Sequence, residues 1–285
     1  MIIREKTKGK KTYYYLEHST RKGSKIIKKE KYLGSEIPKN IDKIKEEFSR
    51  ELKVDLYNKL ENIRENFQKE WKRTPESMKK KELEEISIAF TYNTNAIEGS
   101  TITLEEVREI IHDKISPNKP LMEVKETEAH NKVFLDILKN NEKITKELLL
   151  KWHKEIFGET KPYIAGKFRD YLVRVGPYLA PNWQNVENLM NDLIGFIDKN
   201  KKMNPVELAG RAHYQFESIH PFGDGNGRIG RLLMNHILWH AGYPILIIEY
   251  KKRALYYKAF TGGQEAFVNY FIKKYLAIHK KRYIK

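Results

Sequence analysis

FESIHPFGDGNGRIGRLL, Phe216–Leu233, sets one histidine, one aspartate, one asparagine, four glycines and two arginines between two segments of helical character. Upstream, Leu208, Ala212, Phe216 and Ile219 recur at helical spacing. Gly225–Gly230 satisfies G-x-G-x-x-G, but a dinucleotide-binding turn of that form follows a strand, and this one follows a helix, which rejects it. What the loop can do physically is hold an anion. Gly225, Asn226 and Gly227 can turn several backbone N–H groups toward one point, and the helix that opens near Gly227 adds its N-terminal partial charge there. Arg228 and Arg231, three apart, share a helical face and suit a polyphosphate. Asp224 just outside the nest suits Mg²⁺ bridging phosphate oxygens. His220 at the rim titrates near neutral pH and suits a general base.

His220-Pro221-Phe222-Gly223-Asp224-Gly225-Asn226-Gly227-Arg228-Ile229-Gly230-Arg231 resembles, at every defined position, the H-x-F-x-[DE]-G-N-G-R-x-x-R motif of Fic-domain proteins. The resemblance runs from about Ile86 to Tyr275. It implies a mainly α, Fic-type helical bundle with one β-hairpin flap, and a protein adenylyltransferase that moves AMP from ATP to a Ser, Thr or Tyr hydroxyl of a target protein, or of itself. It implies His220 as the base, Asp224 as the ligand of Mg²⁺ (or Mn²⁺), and Asn226 with the glycine amides of Gly225, Gly227 and Gly230 on the phosphates. Ile229 lies within the same ATP-binding stretch. Arg228 and Arg231 would clamp the β/γ end, and Phe222 would anchor the loop in the core.

Working outward, Thr94-Asn95-Ala96-Ile97-Glu98-Gly99 is similar to the family's [ST]-x-x-x-E-[GN] inhibitory motif, in the class where the inhibitory helix is N-terminal and intramolecular. The resemblance implies a Glu98–Arg231 contact that blocks the γ-phosphate position, with Thr94 and Gly99 framing it. In some relatives this glutamate instead aligns water to remove AMP. Ala165–Pro181 has period-two character with Gly and Pro punctuation, a short hairpin in a helical chain. In the resemblance it is the flap on which a target protein docks as an added strand, with Val173, Arg174, Val175 and Gly176 also lining the nucleotide site. Tyr256 and Tyr257 resemble the family's tyrosine pair against adenine, while Gln264 departs from its asparagine.

Further motifs are local. His236 and His240, four apart, could ligate a metal but lack the Glu of H-E-x-x-H. Thr74-Pro75 reads as an N-cap with proline at the first helical position, and Thr103 with Glu106 as a capping box. Apolar spacing from Ile41 to Trp71 predicts one amphipathic helix, followed by helices near 75–97, 121–139, 145–157, 185–200, 205–220, 227–241 and 263–282. TYYYLEHS and KIIKKEKYL, joined by a glycine-containing turn at Thr20–Ser24, predict a small N-terminal β-hairpin appendage. The expected organisation is a basic appendage over 1–38, a helical linker region over 39–85, and a Fic domain over 86–285 with the inhibitory motif at 94–99 and a catalytic core near 121–245.

Composition sets the outer limits. The 285 residues contain no cysteine, which excludes disulfides, thiolate nucleophiles and Cys-ligated zinc and suits a reducing cytosol. A charged N-terminus and the shortness of every apolar run predict a cytoplasmic protein with no membrane association. Of the net +16, half comes from residues 1–40, with twelve Lys/Arg against four Glu. That predicts either a solvated appendage or contact with nucleic acid or an acidic partner, and a rival reading of the whole chain as a nucleic-acid-associated regulator. Tyr13–Tyr15 would then stack bases, although alternation places some of them on a buried face. The Ile41–Trp71 helix offers a surface for a homodimer or for packing in cis.

Overall fold

The protein is described by a computed structural model over residues 1–9, 11–22, 25–176 and 178–284. It is mainly helical and divides into two compact units, Met1–Glu61 and Asn62–Lys285, the division falling inside the first helix.

In the first unit, β1 (Ile2–Lys8), β2 (Lys11–Lys22) and β3 (Lys25–Gly34) form an antiparallel sheet in the order β1-β2-β3. The β2–β3 hairpin is the predicted one, while part of its turn, at 23 and 24, lies outside the described residues. Strand β1 is additional. All seven of its residues are exposed, so no buried alternation marks it in the sequence. Helix α1 (Ile41–Arg73) starts in this unit. Among the described residues, Leu16 of β2 and Phe48 of α1 are its buried apolar residues before Leu60.

In the second unit, α2 (Glu76–Ile97) begins one residue later than Thr74-Pro75 suggests. Thr74 does not cap it: its hydroxyl donates to the Glu70 carbonyl at 2.9 Å and closes off α1, which leaves Pro75 at the cap position. The capping box at Thr103 and Glu106 is present and starts α3 (Leu104–Arg108), which widens into a π-turn over Glu109–Asp113. Helices α4 (Leu121–Lys139), α5 (Lys146–Phe157), α6 (Val186–Lys199), α7 (Pro205–Ile219) and α8 (Asn226–His240) follow. Then come α9 (Arg253–Thr261), which carries the tyrosine pair, and α10 (Gln264–Tyr283). Between α5 and α6, the flap pairs only β4 (Arg174–Val175) with β5 (Tyr178–Leu179), a smaller hairpin than the alternation suggests.

The core gathers Phe216, Phe222, Leu232, Phe267, Phe271 and Tyr275 around α7, α8 and α10. Gly210 lets α10 close on α7, since a Cβ there would lie 3.1 Å from the Phe271 ring. Every residue of α8 from Asn226 to Leu238 is buried, including two arginines, two asparagines and a histidine. Buried polar groups need partners, so the elements around α8 must supply them. No helix among the described residues is long and apolar enough to cross a membrane.

Candidate active site

The α7–α8 connection is built by its own side chains. His220 ends α7 in the left-handed region, φ 51°. Asn226 then staples the loop: its Oδ1 accepts from the Phe222 N–H at 2.8 Å and its Nδ2 donates to the Phe222 carbonyl at 2.8 Å. Gly225, at φ 78°, takes a conformation that side chains disfavour, and a Cβ there would strike the Phe157 ring at 2.4 Å. Asn226 thus spends its side chain on loop shape and offers a nucleotide only its backbone N–H. The first N–H groups of α8 carry no intrahelical partner, as at any helix start, and make an anion site.

An internal anion already stands there. A Cβ on Gly227 would lie 2.1 Å from Oε1 of Glu98, so the carboxylate rests against the bare backbone of the first turn of α8. Arg231 Nη2 donates to the same oxygen at 2.6 Å. Its Nε donates to the Thr94 hydroxyl at 2.9 Å and its Nη2 to the Thr94 carbonyl at 3.1 Å. Arg231 is 1% exposed, against 31% for the Glu98 side chain. Burial disfavours the guanidinium charge, and the Glu98 carboxylate more than restores it, raising the Arg231 pKa. The structure therefore brings Thr94, Glu98, Gly227 and Arg231 together; Gly99, at φ 94°, turns the chain just beyond Glu98.

Arg228 points the other way. Its Nη1 donates to Oε2 of Glu126 on α4 in a buried pair, its Nη2 lies 3.6 Å from Asp224 Oδ2, and its guanidinium covers the Phe157 ring at 4.3 Å. Lys161 closes the circuit, 2.7 Å from Asp224 Oδ2 and 2.9 Å from Glu126 Oε1, while Thr160 donates to the same Glu126 oxygen at 2.9 Å. Burial raises the Asp224 and Glu126 carboxyls, but Lys161 and Arg228 outweigh it and hold both below their usual range. A cavity of about 350 Å³ opens here, lined in part by Glu98, Glu126, Lys161, Asp224 and Arg228.

Two further residues hold the loop. His153 on α5 accepts from the Gly166 N–H through Nδ1 at 2.9 Å, which places its proton on Nε2 to donate to the Asp224 carbonyl at 3.0 Å. It stacks on Phe222 at 3.9 Å, and burial lowers its pKa to about 4. Arg169, buried, donates through Nε to the His220 carbonyl at 2.8 Å, through Nη1 to that of Tyr171 at 2.8 Å and through Nη2 to that of Pro181 at 2.6 Å. One side chain thus ties His220 to both ends of the flap. Burial also lowers the His220 pKa; the Glu217 carbonyl that bonds its ring opposes this in part, and the Arg169 charge adds to it. At neutral pH His220 is a free base. Glu126, His153, Lys161 and Arg169 carry no signal in the sequence, because each bonds a partner on another element and none sits in a local pattern.

The remaining candidates disperse. Ile229 and Gly230 are buried in α8, Gly230 facing Glu217 and His213. Val173 is half-buried, and Arg174, Val175 and Gly176 are exposed on the flap. Tyr256 is buried and bonded to His213 at 2.8 Å, whereas Tyr257 is 46% exposed, its hydroxyl donating to the Ile97 carbonyl at 3.3 Å beside Glu98. Of the pair, Tyr257 is the exposed one. Gln264 accepts from Gln215 at 3.3 Å. His236 and His240 place Nε2 at 2.9 and 2.7 Å from the carbonyl oxygens of Glu142 and Ile137.

Comparison with known proteins converges on this region. Residues 143–238 match the Fic/DOC family. The chain is 34% identical over 201 residues to the protein adenylyltransferase Fic of Nematostella vectensis, covering 68% of this chain and 47% of that protein. It is 30% identical over 220 residues to protein adenylyltransferase fic-1 of Caenorhabditis elegans, covering 71% and 42%. The chain spans about half or less of the length of these curated relatives. Among solved structures, Fic-1 (residues 134–508) from C. elegans superposes with a TM-score of 0.68 at 27% identity, covering 83% of this chain and 72% of that one. A Fic-domain signaling protein from Bacteroides thetaiotaomicron shares the fold, with a TM-score of 0.67 at 24% identity, over 77% and 96% of the two chains.

Proposed function

Because the chain carries a Fic domain of the Fic/DOC family, we propose that it is a protein adenylyltransferase held off by its own Glu98. The observation that carries this reading is the carboxylate of Glu98 resting on Gly227 and bonded to Arg231 at the N-terminus of α8. A polyphosphate would use the same N–H groups and the same guanidinium. Once Glu98 withdraws, those groups bind the phosphates of ATP and fix its α-phosphorus in line with an incoming hydroxyl, so positioning and charge neutralisation supply most of the catalysis. The hydroxyl oxygen bonds to the α-phosphorus, the bond from that phosphorus to the bridging oxygen breaks, pyrophosphate leaves, and the hydroxyl proton passes to the neutral imidazole of His220. A base so placed contributes about 10²–10⁴-fold.

The target protein docks on the flap over 165–181, whose apolar Leu172, Val175, Tyr178 and Leu179 are exposed. Strand addition along β4 would bring its hydroxyl to His220, which Arg169 links to that flap. Mg²⁺ fits the donor chemistry: it takes hard oxygens, keeps several waters, and needs one or two carboxylates beside the phosphates. Asp224, 45% exposed and held ionised at the cavity mouth, would hold it, and the ion would neutralise phosphate charge. The part-exposed Glu98 would also orient water for the reverse reaction, removal of AMP. A cysteine-free chain suits the cytoplasm.

Mass spectrometry of the Glu98→Gly protein incubated with ATP and Mg²⁺ should find AMP on its own side chains, at least tenfold more than on wild type, by the release of a blocked arginine. His220→Ala in the same background should remove it. Absence of AMP from the Glu98→Gly protein and from every protein offered to it would overturn the assignment.

A further inference from the structure

The antiparallel register sorts the side chains of β1, β2 and β3 onto two faces. Leu16, Lys29 and Lys31 lie on one. Lys31 pairs with Glu51 at 2.6 Å and Lys29 with Asp55 at 3.0 Å, both acids of α1, so this face is turned to the helix and its charge is cancelled there. The other face carries no ion pair to α1 among the described residues. Register places Arg4 opposite Tyr15 and Tyr15 opposite Tyr32, Lys6 opposite Tyr13, Lys8 opposite Lys11, and Lys28 opposite Ser19. Arg4, Lys6, Lys8, Lys11 and Lys28 are all exposed. The acids on this face are Glu17, between Arg4 at 3.7 Å and Lys28 at 3.6 Å, and Glu30, 2.6 Å from Lys6. Five cations against two carboxylates leave three charges in excess, and Lys8 and Lys11 have no acidic partner among the described residues.

We propose that this open face of the sheet binds nucleic acid through its phosphate backbone. Arg4, Lys6 and Lys8 stand at alternate positions of one strand, about 7 Å apart, so the positive charge forms a row suited to a linear polyanion. The tyrosines do not serve as stacking platforms. Tyr15 and Tyr32 touch with ring centroids 5.3 Å apart, Tyr13 and Tyr32 at 6.1 Å, and the Lys6 ammonium sits 4.6 Å over Tyr15. The rings pack on each other and against Lys6 rather than standing apart to receive a base between them. Contacts of this kind position a protein on nucleic acid without reading sequence. This reading does not rest on the transferase assignment, and its test does not depend on that activity.

Fluorescence anisotropy of the 285-residue chain with a labelled mixed-sequence DNA duplex gives the test. Affinity should fall with salt with a log–log slope between about −2.7 and −4.5, for three to five neutralised phosphates. Duplex DNA and duplex RNA should bind within about threefold of each other, because neither base edges nor 2′-hydroxyls are contacted. Lys8→Glu/Lys11→Glu disturbs no ion pair and should weaken binding at least tenfold at about 100 mM salt. Lys8→Gln/Lys11→Gln, which adds no acid, should lose about half as much on a logarithmic scale. Lys80→Glu/Lys81→Glu, an equal charge change at exposed positions of the other unit, should change it less than about twofold. No saturable binding by wild type, an equal loss in the Lys80/Lys81 variant, tighter binding of single strands than of duplex, or competition by an acidic peptide as effective as by DNA would each overturn the proposal.

Discussion

At Gly227, one hydrogen atom decides what the first turn of α8 can hold. A methyl group there would collide with Glu98, and it would collide equally with a phosphate oxygen in the same place. Gly227→Ala added to Glu98→Gly should therefore lower ATP affinity at least tenfold relative to Glu98→Gly alone, by titration calorimetry, at the steric and hydrogen-bonding cost of one lost contact. An unchanged affinity would place the phosphates elsewhere. His220 makes a second prediction at this scale. Burial disfavours its imidazolium, so the neutral base persists below the usual histidine pKa of about 6.5. The kcat/KM of the Glu98→Gly protein should hold level from neutral pH down to about 6.5 and fall only below it. An acid limb centred above 6.5 would contradict that. The loop from His220 to Arg231 was legible in the sequence because its function fixes residue types at consecutive positions. Asn226 was legible as a member of that loop but not in its role, since nothing in the sequence says that its amide turns back to Phe222.

Between elements, α4, α5, the flap and the α7–α8 loop are joined by polar side chains that reach across the fold. Arg169 donates to four carbonyls, those of Tyr171, Pro181, Ile219 and His220, and no other side chain among the described residues covers them. Arg169→Met should leave them unpaired, cost about 2–4 kcal/mol in denaturant unfolding, and loosen the flap from His220. A loss under about 0.5 kcal/mol would mean the carbonyls find other donors. Lys161 bridges α4 to the loop by sitting on Asp224, where a metal ion would otherwise compete for the same oxygen. Lys161→Met should bind Mn²⁺ at least fivefold more tightly by electron paramagnetic resonance, since a charge within contact distance is removed. Equal affinity would mean that the lysine yields at no cost. These couplings escape sequence reading for a physical reason: Glu126 and Arg228 lie 102 positions apart, and their pairing follows from helix packing alone. Helices, by contrast, announce themselves through apolar spacing. Helix α4 begins and ends where that spacing says, whereas the start of α2 shifted because Thr74 had a nearer carbonyl to bond.

For the whole molecule, buried neutral histidines tie stability to pH. Burial holds His153, His236 and His279 near 4 and His213 near 3, and lowers His130 well below its usual value. Their folded pKa values lie below the unfolded value of about 6.5, so they contribute fully above it, and that contribution is lost as pH falls from 6.5 toward 4. Glu217, which burial raises to about 8, works in the opposite sense between about 4.5 and 8. Five histidines against one glutamate leave a net loss on acidification, at most about 1.4 kcal/mol per pH unit for each proton. Melting temperature should therefore drop steeply between pH 6.5 and about 4.5, and a flat profile there would contradict the burial of these rings. The two-unit division also shows where sequence reading stopped short. The hairpin of β2 and β3 was visible through alternation, while β1, exposed along its whole length, carried no signal and emerges only from pairing.

The account rests on an anion site at the head of α8 that Glu98 fills from within, and calorimetric titration of ATP with Mg²⁺ tests it most directly. Glu98→Gly should bind at least tenfold more tightly than wild type, in keeping with a displaced charge-assisted pair, and Arg231→Ala in that background should cancel the gain. Equal ATP affinity in wild type and Glu98→Gly would contradict it.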